Sequence, residues 1–182
     1  MIVKACKPVF FLHFILFCAG MDTVVSQTTG SRNIILNLPV VTLLDIEPNT
    51  NSITINFTAS SEAGNPITNP SPNTTKWLNY TSSITQGGST KNVSVVLNQT
   101  IPGINIQLQA GNATGGGGAL GTPFGLVTVS TTPVNIITGI GGAYTGNGSG
   151  NGHQLTFSFT VSDYSDLVQM NQTVNVTYTI SN

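Results

Sequence analysis

Residues 155–161 read LTFSFTV, and residues 174–180 read VNVTYTI. In both stretches an apolar side chain alternates with Thr, Ser or Asn, which is the period of a β-strand that has one face in a core and one in water. The same alternation recurs in residues 53–57, 91–98 and 104–109. This repeated pattern decides the fold class, and we predict an all-β protein.

Weaker strand patterns fill much of the remaining chain, so we expect roughly nine or ten short strands in total. They cover residues 33–38, 40–46, 76–84, 124–130 and 133–140. Turns rich in Gly, Pro and Asn separate the strands. These turns are predicted at residues 47–52, 64–73, 86–89, 111–121 and 145–152. A single helical turn is expected over residues 163–170, with Asp163 as its cap.

Many short strands separated by such turns are typical of an antiparallel β-sandwich. We therefore predict an immunoglobulin-like or jelly-roll sandwich. A closed barrel is the alternative, because side chains alternate between inside and outside in both architectures.

The N-terminus has the pattern of a secretory signal peptide. Lys4 and Lys7 precede an apolar run over residues 9–19, and small and polar residues follow. The run has about a dozen residues, whereas a membrane-spanning helix needs about 20, so no transmembrane segment is expected. We predict removal of residues 1–26, export through the Sec pathway, and a secreted or cell-surface protein made of one domain, residues 27–182.

The cysteines bear on processing and on redox chemistry. Cys6 and Cys18 both lie in the segment that we expect to be removed. Lipidation of Cys18 is disfavoured because the bulky Phe17 precedes it. The remaining chain has no thiol, so it forms no disulfide and holds no thiolate-bound metal.

Charge and histidine usage exclude several classes of function. After residue 26 the chain carries few charged side chains: Arg32, Lys76, Lys91, Asp45, Glu47, Glu62, Asp163 and Asp166. Without a basic patch, nucleic acid is not expected as a partner. The only histidine in this part is His153, which we expect to be exposed where a loop becomes a strand. A zinc site usually needs three or four nitrogen or sulfur ligands, and a catalytic triad needs a histidine base held beside a nucleophile and an acid. A single histidine at an exposed position satisfies neither, so we predict no enzyme, no metal and no cofactor.

Asp45 and Glu47 share one strand face, which raises the question of a carboxylate pair or a calcium loop. The stretch lacks the glycine and the terminal glutamate of a calcium loop, so a capped turn around Pro48 is the preferred interpretation. Three aromatic residues, Trp77, Tyr80 and Tyr144, are the candidates for a carbohydrate-stacking surface. The alternative for Trp77 is a place in the core.

The closing stretch QTVNVTYTISN, residues 172–182, resembles the last strand of bacterial fimbrial-subunit and spore-coat-U-like secreted proteins. It is also similar in style to an uncharacterised family of small exported proteins of Bacteroidota-type bacteria. The fimbrial resemblance implies an incomplete sandwich that accepts a neighbour's strand, a periplasmic chaperone and an outer-membrane usher. The chain departs from that pattern because it has no disulfide pair and because Tyr178 is not next to the last residue.

A donor strand can be read directly from the sequence. In an extended conformation one face of this strand carries Ile34, Leu36, Leu38 and Val40. Strand addition uses such alternating side chains together with main-chain hydrogen bonds. We therefore predict a structural subunit of a surface filament or coat, assembled from copies of itself or with other surface subunits. The alternative is a monomeric secreted module that binds carbohydrate or acts in adhesion.

Overall fold

The computed structural model describes residues 29–50 and 52–182. The predicted signal peptide, with Cys6 and Cys18, lies outside the described residues. The chain divides into two units, Met1–Asn37 and Leu38–Asn182. In the first unit, residues 29–37 are exposed and form no strand. The fold therefore belongs to the second unit.

Nine strands make up the second unit, and every pairing between them is antiparallel. They are β1 (Thr42–Glu47), β2 (Asn73–Ser82), β3 (Lys91–Leu97), β4 (Ile104–Thr114), β5 (Gly117–Pro123), β6 (Leu126–Val129), β7 (Val134–Tyr144), β8 (Gly152–Val161) and β9 (Val176–Ser181). The predicted all-β class is confirmed. Within the described residues, no helix is both long enough and apolar enough to cross a membrane.

The strands form one hydrogen-bonded sheet that branches at β2. The main path runs β6-β4-β8-β2-β7-β3-β9, while β1 pairs with β2 and β5 pairs with β7. Along β2, Trp77 and Leu78 lie opposite β8, but Thr81 and Ser82 lie opposite β7. We call β1, β2, β8, β4 and β6 the first branch, and β5, β7, β3 and β9 the second branch.

Thr145 fixes the corner between the two branches. Its backbone N–H donates to the Tyr80 carbonyl at 3.0 Å. Its Oγ1 accepts from the Tyr80 N–H at 2.9 Å, and its side chain is fully buried. A threonine hydroxyl thus takes the place of a ladder carbonyl where β2 changes partners. The backbone N–H and carbonyl of Tyr80, which bond on the side away from its β1 partner Leu44, therefore stay satisfied.

The two branches bury one shared apolar cluster. β3 illustrates the pattern, because Val93, Val95 and Leu97 are buried while the residues between them are only half-buried. The largest fully buried apolar side chains come from both branches: Leu78, Leu108 and Leu155 from the first, and Val93, Val95, Ile136, Ile137 and Ile140 from the second. Since one core takes side chains from both branches, the architecture is sandwich-like, as predicted.

Two predicted strands are absent. Residues 33–38 form no strand, and residues 53–57 have no ladder partner, although Ile53, Ile55 and Phe57 are half-buried between exposed neighbours. The pairing nearest to them is an isolated bridge between Thr58 and Thr68. The alternation of apolar and polar residues over 53–57 indicates which side chains turn inward. It does not indicate whether another strand pairs with this stretch.

The helical turn predicted over residues 163–170 is also wrong. The Asp163 carboxylate accepts hydrogen bonds from the Ser165 N–H at 2.8 Å and from its hydroxyl at 2.7 Å. These bonds lower the pKa of Asp163 and hold a local turn that does not continue as a helix.

The glycine-rich stretch over residues 111–121 is sheet rather than the predicted loop. β4 continues to Thr114 and β5 begins at Gly117, so the turn contains only Gly115 and Gly116, with φ of 72° and 71°. Successive residues with positive φ are readily accommodated only by glycine, and they let the chain turn sharply from β4 to β5, which pair with different strands. Glycine lacks the side chain that signals a strand, which is why the sequence pattern missed β5.

We expect Gly118→Ala to lower the free energy of unfolding by about 1–3 kcal/mol, because its backbone is left-handed. Gly118 has φ of 88°, and a Cβ there would lie 2.2 Å from the Gly142 carbonyl oxygen. Gly142→Ala is the matched control, since a Cβ at Gly142 has nothing within 4 Å. Urea unfolding followed by circular dichroism measures both variants, and equal losses would contradict the role given to Gly118.

Candidate functional site

The predicted ligand surface is divided between two faces of β2. Tyr80 points inward with Leu78 and is only 3 % exposed, so its assignment to a surface was wrong. Trp77 alternates with these residues and is half-buried on the opposite, outer face. Tyr144 is 58 % exposed and lies opposite Thr81, which places it on the same outer face as Trp77.

Tyr80 instead belongs to a buried polar network with His153. Contrary to the sequence prediction, His153 is fully buried. Its Nε2 lies 2.9 Å from the Tyr80 hydroxyl, and its Nδ1 lies 2.8 Å from the Gly111 carbonyl oxygen. The Tyr80 hydroxyl also reaches the Leu120 carbonyl of β5. This network therefore connects β2, β4 and β8 of the first branch to β5 of the second.

The hydrogen-bond partners of His153 determine which ring nitrogen carries the proton in its neutral form. The Gly111 carbonyl can only accept, so Nδ1 carries the proton and the neutral ring offers Nε2 as an acceptor. The Tyr80 phenol has a single proton, which it can donate to Nε2 or to Leu120. Burial lowers the pKa of His153, and hydrogen bonding to the Gly111 and Leu120 carbonyls opposes that shift. Burial also raises the pKa of Tyr80.

We expect Tyr80→Phe to destabilise the protein by about 1–3 kcal/mol, because it leaves buried acceptors without a donor. Tyr164→Phe is a matched control that removes a hydroxyl accepting an exposed hydrogen bond from the Ile67 N–H at 2.8 Å. Water can replace that partner, so its cost should stay below about 1 kcal/mol. Thermal unfolding compares the two variants, and equal shifts would count against the buried network.

A second prediction concerns the charge of His153. Its pKa should lie below the unfolded value of about 6.5. The stabilisation from the neutral ring is then present above that pH and is lost as the pH falls from about 6.5 towards the folded-state pKa. A titration followed by ¹⁵N NMR, assigned with His153→Gln, measures this. A pKa above the unfolded value, or a proton on Nε2 alone in the neutral ring, would contradict the assignment.

The outer face brings together side chains from three strands, and we define it by Leu43, Asp45, Asn79, Thr81 and Tyr144. In the register, Asp45 faces Asn79, Leu43 faces Thr81, and Thr81 faces Tyr144. With the turn residues Gly146 and Asn147, they border a cleft of about 400 Å³. The sequence indicated Asp45 and Tyr144 separately, but only the register places them on one face.

A groove with a mixed polar and apolar lining lies between the edge strands β1 and β9. It has a volume of about 480 Å³, and its apolar lining includes Leu44, Ile46, Val176 and Tyr178. Lys76 stands at one end, where its Nζ donates to the Pro48 carbonyl at 2.6 Å. Within the described residues β1 pairs only with β2, and β9 pairs only with β3. Both strands therefore have one edge without a strand partner.

The predicted donor residues are exposed. Ile34, Leu36, Leu38 and Val40 show 89 %, 76 %, 80 % and 62 % of their surface to solvent. No strand includes any of them. The structure therefore leaves four large apolar side chains at alternate positions uncovered, which is unusual for a chain in water.

Residues 47–49 form a local hydrogen-bonded turn around Pro48. The Glu47 carboxylate accepts a hydrogen bond from the Asn49 N–H at 3.3 Å. Across residues 29–50 and 52–182, no group of three His, Cys, Asp or Glu side chains is placed to hold a metal ion. Comparisons with protein-family models, with curated proteins and with solved structures give no match for this chain.

Proposed function

We propose that the protein is a structural subunit of a bacterial surface filament or coat, and that it assembles by strand addition between copies. The observation that carries this proposal is the exposed alternating stretch Ile34, Leu36, Leu38 and Val40 ahead of β1. Strand addition gains affinity from main-chain hydrogen bonds and specificity from pockets for alternate side chains.

The donor stretch has the chemistry that a buried strand needs. No charged residue lies between Arg32 and Asp45, so the inserted stretch itself brings no ionised group into the groove. Pro39 has no N–H and cannot take part in a ladder at its own position. We therefore place the hydrogen-bonded part over residues 33–38, with the Val40 side chain contributing by packing alone.

The acceptor that fits this donor is the groove between β1 and β9. Natural sheets guard their edges with Lys, Pro or bulges, but β9 reads VTYTIS and carries neither a charge nor a proline. Its inward side chains Val176, Tyr178 and Ile180 are only half-buried, although they pack against the core. A further strand would complete their burial.

The dimensions of donor and acceptor agree. Residues 33–38 in extended form span about 20 Å, and the six residues of β9 span the same length. Burying the four donor side chains is worth about 6–12 kcal/mol in gross transfer free energy. Association and ordering costs offset part of that gain. Enough apolar surface is available for a stable contact.

Chain connectivity supports insertion of the donor into a second copy. Ser83 donates its N–H to the Val41 carbonyl at 2.8 Å, and the Val41 N–H donates to the Ser83 hydroxyl at 2.6 Å. Val41 thus continues the β1 ladder against the end of β2. To enter the groove beside its own β1, the chain would have to reverse over Pro39 and Val40 alone. The favoured two-residue hairpins need positive φ at the first loop residue, which proline cannot adopt.

A donor on one side of the subunit and an acceptor on another make a heterologous contact. Such contacts produce rings when the rotation closes, and open filaments when it does not. Every subunit both donates and accepts, so assembly can continue without a second kind of subunit. The exposed stretch on one copy and the open groove on the next are what a head-to-tail polymer requires.

The test of strand addition compares substitutions on the two faces of the donor stretch, to which successive residues alternate. We expect Leu36→Asp combined with Leu38→Asp to abolish assembly, because both carboxylates would enter the groove against its apolar lining. Native surface material is compared on gels with and without boiling, and the unchanged protein should give a ladder that collapses on boiling. Ile35→Asp is the matched control, because Ile35 is equally exposed, at 86 %, but alternates to the opposite face. It should assemble normally.

Loss of assembly in Ile35→Asp as well would indicate unspecific hydrophobic association and contradict strand addition. A single band in the unchanged protein under both conditions would reject the filament role. Tyr178→Asp, which places a charge in the groove, should accept no donor but should still donate to an unchanged copy in a mixing experiment.

A further inference from the structure

We propose that the outer-face cleft binds an uncharged saccharide. The cleft adjoins the β1–β9 groove, with which it shares Leu44 and Asp45, but Tyr144, Thr81 and Asn79 belong to the cleft alone. The proposal does not depend on strand addition. It rests on the arrangement of Asp45, Asn79, Thr81 and Tyr144 around one concave cleft.

Tyr144 supplies the apolar wall of the site. Its ring is more than half exposed, at 58 %, and packs against Gly117, where a Cβ would lie 3.3 Å from Cε1. The glycine opposite leaves the ring accessible instead of covering it with a side chain. Sugar rings present C–H groups on one face, and these are attracted to the negative face of an aromatic ring.

Asn79 supplies an acceptor that lacks a partner. The residue is only 4 % exposed, and its Nδ2 donates to the Asn151 carbonyl at 2.7 Å. Its Oδ1 is buried with no hydrogen-bond partner among the described residues. A buried acceptor without a donor is destabilising. Because this oxygen is closed to solvent, a ligand hydroxyl supplies that donor only after a shift of the side chains that cover it at the cleft.

The charge of the side chains around the cleft limits the class of saccharide that it can bind. Asp45 borders the cleft, and Glu47 lies two residues further along the same strand face. No Lys or Arg lines the cleft. A cleft bordered by the Asp45 carboxylate and lined by no Lys or Arg disfavours sialylated, sulfated or phosphorylated ligands. The carboxylate of Asp45 and the hydroxyl of Thr81 suit the hydroxyl groups of a neutral sugar.

Trp77 extends the site along the outer face. It lies opposite Glu47 and Gln154, and four residues along β2 from Thr81. Strand geometry places it about 14 Å from Tyr144. This separation is longer than one sugar ring, so the proposal commits to an oligosaccharide that contacts both aromatic residues.

The experiment is a glycan array of neutral and anionic oligosaccharides, followed by calorimetry with the strongest neutral ligand. We expect Tyr144→Ala to weaken binding by at least about tenfold, and Asp45→Asn to weaken it too. Phe124→Ala is the matched control, because Phe124 is an aromatic residue that is 66 % exposed away from the cleft. It should bind like the unchanged protein.

Trp77→Ala tests the length of the ligand, since it should weaken binding of long oligosaccharides and leave the shortest ligand unaffected. No signal on any neutral glycan would overturn the proposal, as would binding that survives Tyr144→Ala or prefers anionic glycans. Repeating the measurement with the Leu36→Asp, Leu38→Asp protein separates the two proposals, because saccharide binding should persist when assembly is lost.

Discussion

The corner at which β2 exchanges β8 for β7 is the constraint on which the rest of the structure depends. Thr145 holds that corner by substituting its hydroxyl for a ladder carbonyl opposite Tyr80. From this point the two branches diverge and enclose the core, and the two faces of β2 acquire different surroundings. Tyr80 turns towards the other branch, while Thr81 and Tyr144 turn outward. A packed interior and a polar outer face therefore arise from the same few residues.

The interior network strengthens this arrangement because its members are far apart in sequence. Tyr80 and His153 are separated by 73 residues, and the hydroxyl of Tyr80 crosses the core to a carbonyl of β5. Hydrogen bonds in such a setting are strong when complete and costly when broken. The pairing thus favours one relative placement of the branches, which apolar contacts alone would specify less sharply.

Periodicity predicted the parts of the fold that depend on local pattern. Residues 91–98, 104–109 and 155–161 all lie in or overlap strands, since each repeats an apolar residue at every second position. The same pattern was misleading at residues 53–57, where one side is half-buried without a ladder. The pattern did not predict β5, because its glycines allow an unusual backbone conformation but contribute no alternation of apolar and polar side chains. The burial of His153 and the pairing of Asp45 with Asn79 depend on long-range register, which residue types in one sequence do not encode visibly.

The hydrogen bonds between Val41 and Ser83 have a mechanical consequence. Tension applied to the chain ahead of β1 would enter the sheet at this pair and act along the strand direction, so that many ladder bonds share the load at once. The load would then pass into β2, whose backbone is bonded to β1, β8 and β7. A segment attached in this way can be pulled without peeling one bond after another, and a strand with three partners bears the force.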